Sequence, residues 1–215
     1  MKPDQPKTTL IDLLRHGEAE GGVKYRGVTD DPLTERGREQ MWRAVGDRYP
    51  WHRIVTSPLR RCAEFAQSLS ERAAIPLDQN PNAMGWNFGA WEGKTPDQIM
   101  QTDADALGRF RQDPLRYPPP GGESLTAVAA RAMQAVANVL RQYPSERVLI
   151  VTHSVAMRCI IAKIVNMPLN QIFAIGVGPS ALTRLKFTHE PAGVRGSLLF
   201  HPGFPPARAA NSTKP

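Results

Sequence analysis

The sequence predicts an α/β fold with three layers, in which helices cover both faces of a largely parallel central sheet. Segments of strand character alternate with segments of helical spacing, and the connections between them are short, which is typical of this class. Two of the predicted strands end directly in a histidine. With 215 residues and a hydrophobic share of 41%, residues 1–215 suffice for a single domain around a sizeable core.

Each strand and helix is predicted from a local signal. The first strand is an apolar, β-rich run over residues 8–14 that stops just before His16. Further strands are predicted over 52–56, 147–152, 173–176, 181–187 and 198–201. Hydrophobic residues at helical spacing predict helices over 34–48, 59–73, 123–142 and 155–165.

Start signals mark the first two predicted helices. Thr34 belongs to the residue types that cap helices well, and Ser57 precedes Pro58, a residue that is favoured in the first helical turn. The region 75–120 holds many Pro, Gly and Trp residues instead. It predicts an irregular insertion over one end of the sheet, close to any site there.

Composition narrows the classes of function. The formal net charge is +7, but no run of Lys and Arg reaches five residues. The charge therefore fits attraction of a small anionic substrate better than nucleic-acid binding. Two distant cysteines, Cys62 and Cys159, form no CxxC motif and are predicted to be buried free thiols in a reducing compartment.

The sequence predicts neither a signal peptide nor a membrane-spanning segment. The first ten residues contain no apolar stretch typical of a signal peptide, and the longest apolar runs are short and interrupted by charge. No membrane contact is predicted, and the chain is expected to be cytoplasmic. Residues 1–7 and about 205–215 are polar and contain proline, so they are predicted to be loose tails.

The two strand-terminal histidines, His16 and His153, are the features most indicative of chemistry. A single histidine at a strand end is ordinarily a polar residue with a structural partner. Here Arg15 directly precedes the first histidine, and an arginine pair opens the second predicted helix. Ligands of parallel sheets bind beyond the carboxyl ends of the strands, and arginine supplies a planar fork for phosphate oxygens. The pattern favours a phosphate site.

Six motifs in this order extend the pattern over nearly the whole chain. They are RHGE (15–18), TDDPLTERG (29–37), SPLRRC (57–62), FGAWEG (88–93), PGGES (120–124) and VTHS (151–154). This set resembles the phosphoglycerate mutase-like histidine phosphatase superfamily, which implies its three-layer fold and a phosphohistidine mechanism. The stretches at 24–37, 57–66 and 88–96 look most like the alpha-ribazole phosphatases of cobalamin synthesis.

The resemblance implies a role for each matching residue. His16 resembles the histidine that becomes phosphorylated, and His153 resembles the second histidine that stabilises the transferring phosphoryl group. Arg15 and Arg61 resemble the two phosphate clamps. The neighbouring Arg60 projects about 100° away on a helix, so it is expected to be a surface charge.

Three further residues are candidates for substrate binding, each with a structural alternative. Glu18 lies next to the motif histidine but can equally be a loop residue. Thr29 can line the mouth of the pocket or serve the turn before Pro32. Ser154 stands where the family commonly has glycine, and its small hydroxyl can donate a hydrogen bond.

The implied activity is hydrolysis of a small-molecule phosphate monoester, with alpha-ribazole 5′-phosphate as the favoured substrate. No cofactor or metal is expected, because no metal-ligand spacing occurs in the sequence. The expected partner is the phosphorylated small molecule alone, and the chain is expected to be a monomer or homodimer. A phosphoglycerate mutase and another sugar-phosphate phosphatase remain rival enzymes.

One position departs from the family pattern. The family usually has a glutamate three residues before the Phe-Gly of FGxWEG, where it protonates the leaving oxygen, and this chain has Gly85. General acid–base help contributes roughly 10²–10⁴ in rate. Three hypotheses stay open: Glu18 or Glu92 replaces the acid, the substrates have activated leaving groups, or the chain is a weakened variant that mainly binds phosphate.

Overall fold

The computed structural model describes residues 7–201, and six strands in it form one mixed sheet. In chain order the strands are β1 (Thr8–Arg15), β2 (Arg53–Thr56), β3 (Leu77–Gln79), β4 (Arg147–Thr152), β5 (Leu182–Glu190) and β6 (Gly193–Phe200). Their order across the sheet is β3-β2-β4-β1-β5-β6. The first four strands in this order run parallel, whereas β5 is antiparallel to β1 and β6 is antiparallel to β5.

Five α-helices accompany the sheet in the described part of the chain. They are α1 (Glu35–Val45), α2 (Arg60–Ala73), α3 (Pro96–Gln112), α4 (Leu125–Gln142) and α5 (Ser154–Ile164). Three short 3₁₀ segments cover Pro81–Ala83, Gly89–Trp91 and Leu169–Ala174. As predicted, the Thr34 hydroxyl caps α1 by accepting a hydrogen bond from the Gly37 amide, at 2.9 Å.

The sheet has a hydrophobic core on each face, so the three-layer prediction is confirmed. Successive side chains of a strand point to opposite faces, and β4 shows this directly. Val148 and Ile150 join a core with α4 and α5, while Leu149 and Val151 join a core with α1 and α2. Strands β1 and β4, each of which directly precedes one of the two histidines, are the two middle strands of the sheet.

Some predicted elements were wrong. The region 173–176 is not a strand, because residues up to Ala174 belong to a 3₁₀ segment. Helix α2 begins at Arg60 with Leu59 in the capping position, two residues later than the Ser57 cap predicts. By contrast, the strand predicted over 198–201 is confirmed up to Phe200 as the end of β6, which begins earlier, at Gly193.

The region 75–120 is more regular than its composition suggests. It contains β3 and the 17-residue helix α3, which has a kink at Asp103. A signal for this helix was present, because Thr95 and Gln98 form a capping box and Pro96 occupies the first turn. Few apolar residues mark the buried face of α3, so hydrophobic spacing alone did not reveal it.

Some expectations fall at or beyond the limits of the described chain. The tail expected at 205–215 lies outside the described residues, as does all of 1–7 except Lys7. Between residues 7 and 201, no helix is both long and apolar enough to cross a membrane. In the same range, no group of three or more His, Cys, Asp or Glu side chains is placed to hold a metal ion.

Candidate active site

The carboxyl ends of two adjacent parallel strands bring the two histidines together. Arg15, the last residue of β1, lies opposite Thr152, the last residue of β4. The amide of His16 then donates a hydrogen bond to the carbonyl of Thr152, at 3.0 Å. As a result the rings of His16 and His153 lie with their centroids 5.2 Å apart.

The environment of His16 favours a neutral, nucleophilic imidazole. Its Nδ1 lies 2.7 Å from the carbonyl oxygen of Gly17. Because a carbonyl only accepts, Nδ1 carries the proton and Nε2 keeps its lone pair. Burial lowers the pKa of His16 well below its usual value, and the positive charges of Arg15 and Arg61 lower it further, against a smaller upward effect of the Gly17 carbonyl.

Gly17 itself is required by packing. A Cβ at this position would lie 2.1 Å from the carbonyl oxygen of Gly37 in α1. The glycine therefore serves the close approach of two backbones, which keeps the loop after His16 against the start of α1.

His153 is held by a partner that the sequence analysis assigned to another role. Its Nε2 lies 2.8 Å from the hydroxyl oxygen of Ser57 and 3.6 Å from the sulfur of Cys62. Its Nδ1 is buried and has no hydrogen-bond partner among residues 7–201. Burial lowers the pKa of His153 well below its usual value, with further lowering by Arg61 and His16. Ser57 was predicted to cap α2, and nothing in the local sequence pointed to its contact with His153.

The two predicted clamps are buried arginines that donate to backbone carbonyls. Arg15 donates from Nη1 to Val177, at 2.7 Å, and Arg61 donates to Gly27 and Thr29, at 2.6 and 2.7 Å. The Nε atoms of both arginines are buried without a partner in the described chain. Burial is the main cause that lowers the pKa of Arg15 to about 10 and also lowers that of Arg61, so both remain cations at neutral pH.

A pocket of about 220 Å³ opens in front of the two histidines. Its lining has three chemical classes: the bases Arg15, Lys24, Arg26, Arg158, His16 and His153, the aromatic residues Tyr25, Trp86, Phe88 and Phe173, and the small or aliphatic residues Gly85, Ser154 and Val155. No aspartate or glutamate of the described chain belongs to this lining. The pocket is therefore suited to an anion.

The structure separates the predicted site residues into two groups. Ser154 lines the pocket as the first residue of α5. Arg61, Glu18 and Thr29 do not line it. The Glu18 side chain is 44% exposed and lies 3.7 Å from Arg36. The Thr29 carbonyl instead accepts from Arg61, which makes this residue a support of the buried clamp.

Several pocket residues outside the motif histidines were not foreseen, and three of them are consecutive. Lys24, Tyr25 and Arg26 come from the loop before β-bridge residue Leu33 and reach the pocket together. Their position inside the KYRGVTDDPLTERG stretch was the available signal. By contrast, Arg60 is exposed and pairs with Glu64, as expected for a surface charge.

The carboxylate of Glu92 organises the loop that carries Gly27 and Thr29. It accepts hydrogen bonds from the backbone amides of Gly27, Val28, Thr29 and Phe88 and from the Thr29 hydroxyl. Burial raises the pKa of Glu92, but the Thr29 hydroxyl and the backbone amides outweigh this effect and shift it downward. Glu92 is therefore an anion that fixes the loop in place.

Gly85 is enclosed by backbone. A Cβ at this position would lie 2.5 Å from the carbonyl oxygen of Gly27 and 3.3 Å from Nη2 of Arg61. Gly27, which faces Gly85, is more crowded still, because a Cβ at position 27 would lie 1.5 Å from the carbonyl oxygen of Trp86. The two glycines thus allow two backbone segments to touch beside the pocket.

Both cysteines are buried free thiols, as predicted. Burial raises the pKa of each thiol to about 12. Because the thiolate is the reactive form of cysteine, neither side chain is suited to be a nucleophile at neutral pH.

Comparison with protein families places this geometry in a known group. The model of the histidine phosphatase superfamily (branch 1) matches residues 11–196. Glucosyl-3-phosphoglycerate phosphatase of Mycobacterium tuberculosis is 32% identical over 190 residues, covering 80% of this chain and 83% of the relative. Phosphoserine phosphatase 1 of Hydrogenobacter thermophilus is 26% identical over 168 residues, covering 76% and 80%.

Solved structures agree with this assignment. Bacillus stearothermophilus YhfR superimposes with a TM-score of 0.79 at 30% identity, covering 88% of this chain and 96% of that structure. The alpha-ribazole phosphatase of Shigella flexneri has a TM-score of 0.74 at 23% identity, covering 88% and 95%, and supports the fold alone. The protein is thus a member of the histidine phosphatase superfamily, branch 1, with a phosphoglycerate mutase-like fold.

Proposed function

We propose that this phosphatase hydrolyses small anionic phosphate monoesters through a phosphohistidine at His16, without a metal ion. One observation carries the proposal. A neutral imidazole with a free Nε2 faces a pocket whose lining, within residues 7–201, is basic, aromatic, small or aliphatic. Arg15 in this lining is a buried cation whose Nε has no partner in the described chain. Such a buried donor is costly, and a bound phosphate satisfies it.

The phosphoryl group binds at the carboxyl ends of β1 and β4. Arg15 and His153 donate hydrogen bonds to its oxygens. Ser154 is the first residue of α5, and the backbone amides and the dipole at this end of the helix also favour an anion. A neutral His153 that donates from Nδ1 has an unprotonated Nε2, so in this tautomer Nε2 accepts a hydrogen bond from the Ser57 hydroxyl. Arg61 contributes positive charge from behind the pocket and holds the loop at Gly27.

In the first step the lone pair on Nε2 of His16 attacks phosphorus in line with the departing oxygen. Phosphoryl transfer depends mainly on positioning and on positive charge around the equatorial oxygens, and the arginines provide this charge. In the second step water attacks phosphorus, the P–N bond breaks, and inorganic phosphate leaves as neutral His16 is restored. We expect activity in the presence of a chelator, because no step requires a metal.

The identity of the substrate stays a prediction. The first candidate to test is alpha-ribazole 5′-phosphate, because three stretches resemble alpha-ribazole phosphatases. Phosphoserine and glucosyl-3-phosphoglycerate are the substrates named for two relatives. Both carry a carboxylate besides the phosphate, which fits a pocket with Lys24, Arg26 and Arg158.

The proposal is tested by trapping the phosphoenzyme. The protein is mixed with 4-nitrophenyl phosphate and with the three candidate esters, and the reaction is stopped in alkali, which preserves a P–N bond. Phosphate on His16 by mass spectrometry and steady release of inorganic phosphate support the proposal. His16→Ala abolishes both, whereas Arg60→Ala, which removes an exposed arginine next to Arg61, leaves both unchanged.

The same experiment separates the rival functions. A phosphate-binding module saturates with phosphate but releases none from any ester. A phosphoglycerate mutase passes the phosphoryl group from His16 to an added phosphoglycerate faster than to water. Either result contradicts the phosphatase proposal while keeping the fold assignment.

A further inference from the structure

On the basis of the proposed His16 route, we infer that this site is specific for phosphoryl donors with an acidic leaving group. Such donors are acyl phosphates, phosphoanhydrides and aryl phosphates, whose leaving groups depart as stable anions. Alkyl phosphates, including the candidate substrates alpha-ribazole 5′-phosphate and phosphoserine, are then hydrolysed by the same route but more slowly than these donors. The reason is that, among residues 7–201, no carboxylic acid lines the pocket to protonate a departing alkoxide.

The usual place of the acid is filled by main chain. A side chain at position 85 would begin 2.5 Å from the carbonyl oxygen of Gly27, closer than Cβ atoms come to backbone. The same carbonyl accepts the 2.6 Å hydrogen bond from Nη2 of Arg61. Moving the Gly27 loop aside to admit a carboxylate therefore disturbs the hydrogen bond of a buried clamp.

The segment around Gly85 is also fixed from its other side. The guanidinium of Arg131 donates to the carbonyls of Met84 and Gly85, each at 2.7 Å. Glu123 holds that guanidinium through both carboxylate oxygens, at 2.7 and 2.8 Å. The segment cannot retreat from Gly27 without breaking these bonds, so the absence of an acid at this position is built into the packing.

The neighbouring carboxylates are committed elsewhere. Glu92 accepts from four backbone amides and is held as an anion, with its pKa lowered. Asp31 lies 2.9 Å from Lys24 and 2.6 Å from Arg26, and these contacts outweigh burial and lower its pKa as well. Glu18 is directed to Arg36 and lies outside the pocket lining. None of the three is placed as a proton donor.

The chemical step balances without a proton donor when the leaving group is acidic. Nε2 of His16 forms the P–N bond, the P–O bond breaks, and its electron pair leaves on a carboxylate, phosphate or phenolate oxygen. Conjugate acids of carboxylates have pKa values of about 4 and phenols of about 10, both far below the pKa of water. The cationic lining stabilises such an anion electrostatically.

The test is a leaving-group series at constant pH. We expect kcat/KM to fall steeply as the pKa of the phenol rises from 4-nitrophenyl to phenyl phosphate. Acetyl phosphate is expected to be hydrolysed at least as well as 4-nitrophenyl phosphate. Alpha-ribazole 5′-phosphate and phosphoserine are expected to lie at least about 10³-fold below it, which is the contribution of the missing acid.

Two variants show whether a hidden acid exists. If a carboxylic acid protonates the leaving group, its replacement slows the hydrolysis of alkyl esters far more than that of 4-nitrophenyl phosphate, because only the departing alkoxide needs the proton. We expect Glu92→Gln to slow both substrates by the same factor, through the loop at Gly27, and Glu18→Gln to change neither by more than about 3-fold. Folding of each variant is verified by its thermal midpoint.

The outcomes separate this inference from the proposed function. A flat leaving-group series with fast alkyl esters, or a selective loss of alkyl turnover in Glu92→Gln or Glu18→Gln, overturns the specificity and leaves the His16 route intact. Turnover of aryl esters that survives His16→Ala overturns the proposed function itself. Failure to hydrolyse any donor overturns both.

Discussion

Strand β1 carries two charges with opposite surroundings. The carboxylate of Asp12 is fully buried, and Trp51 and Arg184 donate to it at 2.8 and 2.7 Å while Arg147 lies 3.3 Å away. Arg15, three residues later, has a buried Nε without a partner in the described chain, and no carboxylate pairs with it. One charge is neutralised by the fold, and the other is left for a ligand.

The difference distinguishes groups that stabilise the fold from groups that bind substrate. Removing one partner from a buried charge with a complete set of hydrogen bonds is costly, because the remaining partners are left buried and uncompensated. A buried cation without a counter-charge lowers stability until an anion arrives. The region around Arg15, His16 and His153 therefore reads as a site whose electrostatic partner is the substrate, and the predictions below test this contrast.

The largest effect is expected for the nucleophile. His16→Ala should lower phosphate release from 4-nitrophenyl phosphate by on the order of 10⁴-fold or more, as for removal of other enzymatic nucleophiles. The free energy of unfolding should change little, because His16 is not part of the Asp12 cluster. The control is His52→Ala, an exposed histidine whose loss should not alter the rate; equal losses in both variants would falsify the assignment of the nucleophile.

The Asp12 cluster should show the reverse behaviour. Asp12→Ala leaves two arginines and an indole without their shared acceptor, and we expect a loss of about 3 kcal/mol in the free energy of unfolding. The specific activity of the molecules that remain folded should stay within about 2-fold of the parent. Urea denaturation and activity measured at low temperature test this. An unchanged unfolding midpoint would contradict the structural role.

Substitution of Arg15 should weaken phosphate binding without lowering the stability of the fold. Arg15→Met keeps the apolar stem but removes the charge, so inorganic phosphate should bind more weakly by about 1.5–3 kcal/mol, the range for hydrogen bonds to charged groups. Without phosphate, the midpoint of unfolding should not decrease. Calorimetric titration with phosphate measures the first quantity and thermal unfolding the second. The matched control is Arg184→Met, which should lower stability and leave phosphate affinity unchanged.

The smallest effect concerns pH. The pKa values of His16 and His153 are lowered, first by burial and then by nearby positive charges. Below the unfolded value of about 6.5 the unfolded chain binds more protons, so stability present at pH 7 decreases as the pH falls, by up to about 1.4 kcal/mol per pH unit for each histidine.

Urea denaturation at pH 7.0 and 5.5 measures this loss. The double variant His16→Gln and His153→Gln should lose less stability over the same interval than the parent. An identical pH dependence in both proteins would show that the two histidines are not the groups that take up the protons.

Much of the site was predictable because it follows strand ends. Apolar runs that stop at Arg15-His16 and at His153 place these side chains at one edge of a parallel sheet, and the structure puts the two strands side by side. The assignment of Arg61 to the interior and Arg60 to the surface also follows from helical spacing. Helix α3 was missed because only Ile99, Leu107 and Phe110 mark its fully buried face.

The sequence alone determined the two histidines of the site and the missing acid, because the strand ends and the motif order set the positions of His16, His153 and Gly85. Only the tertiary structure decided what surrounds them. Ser57 reaches His153, and Glu92 fixes the Gly27 loop, through contacts between segments distant in sequence. Such contacts depend on how the layers pack, and this packing places a carbonyl where an acid would stand.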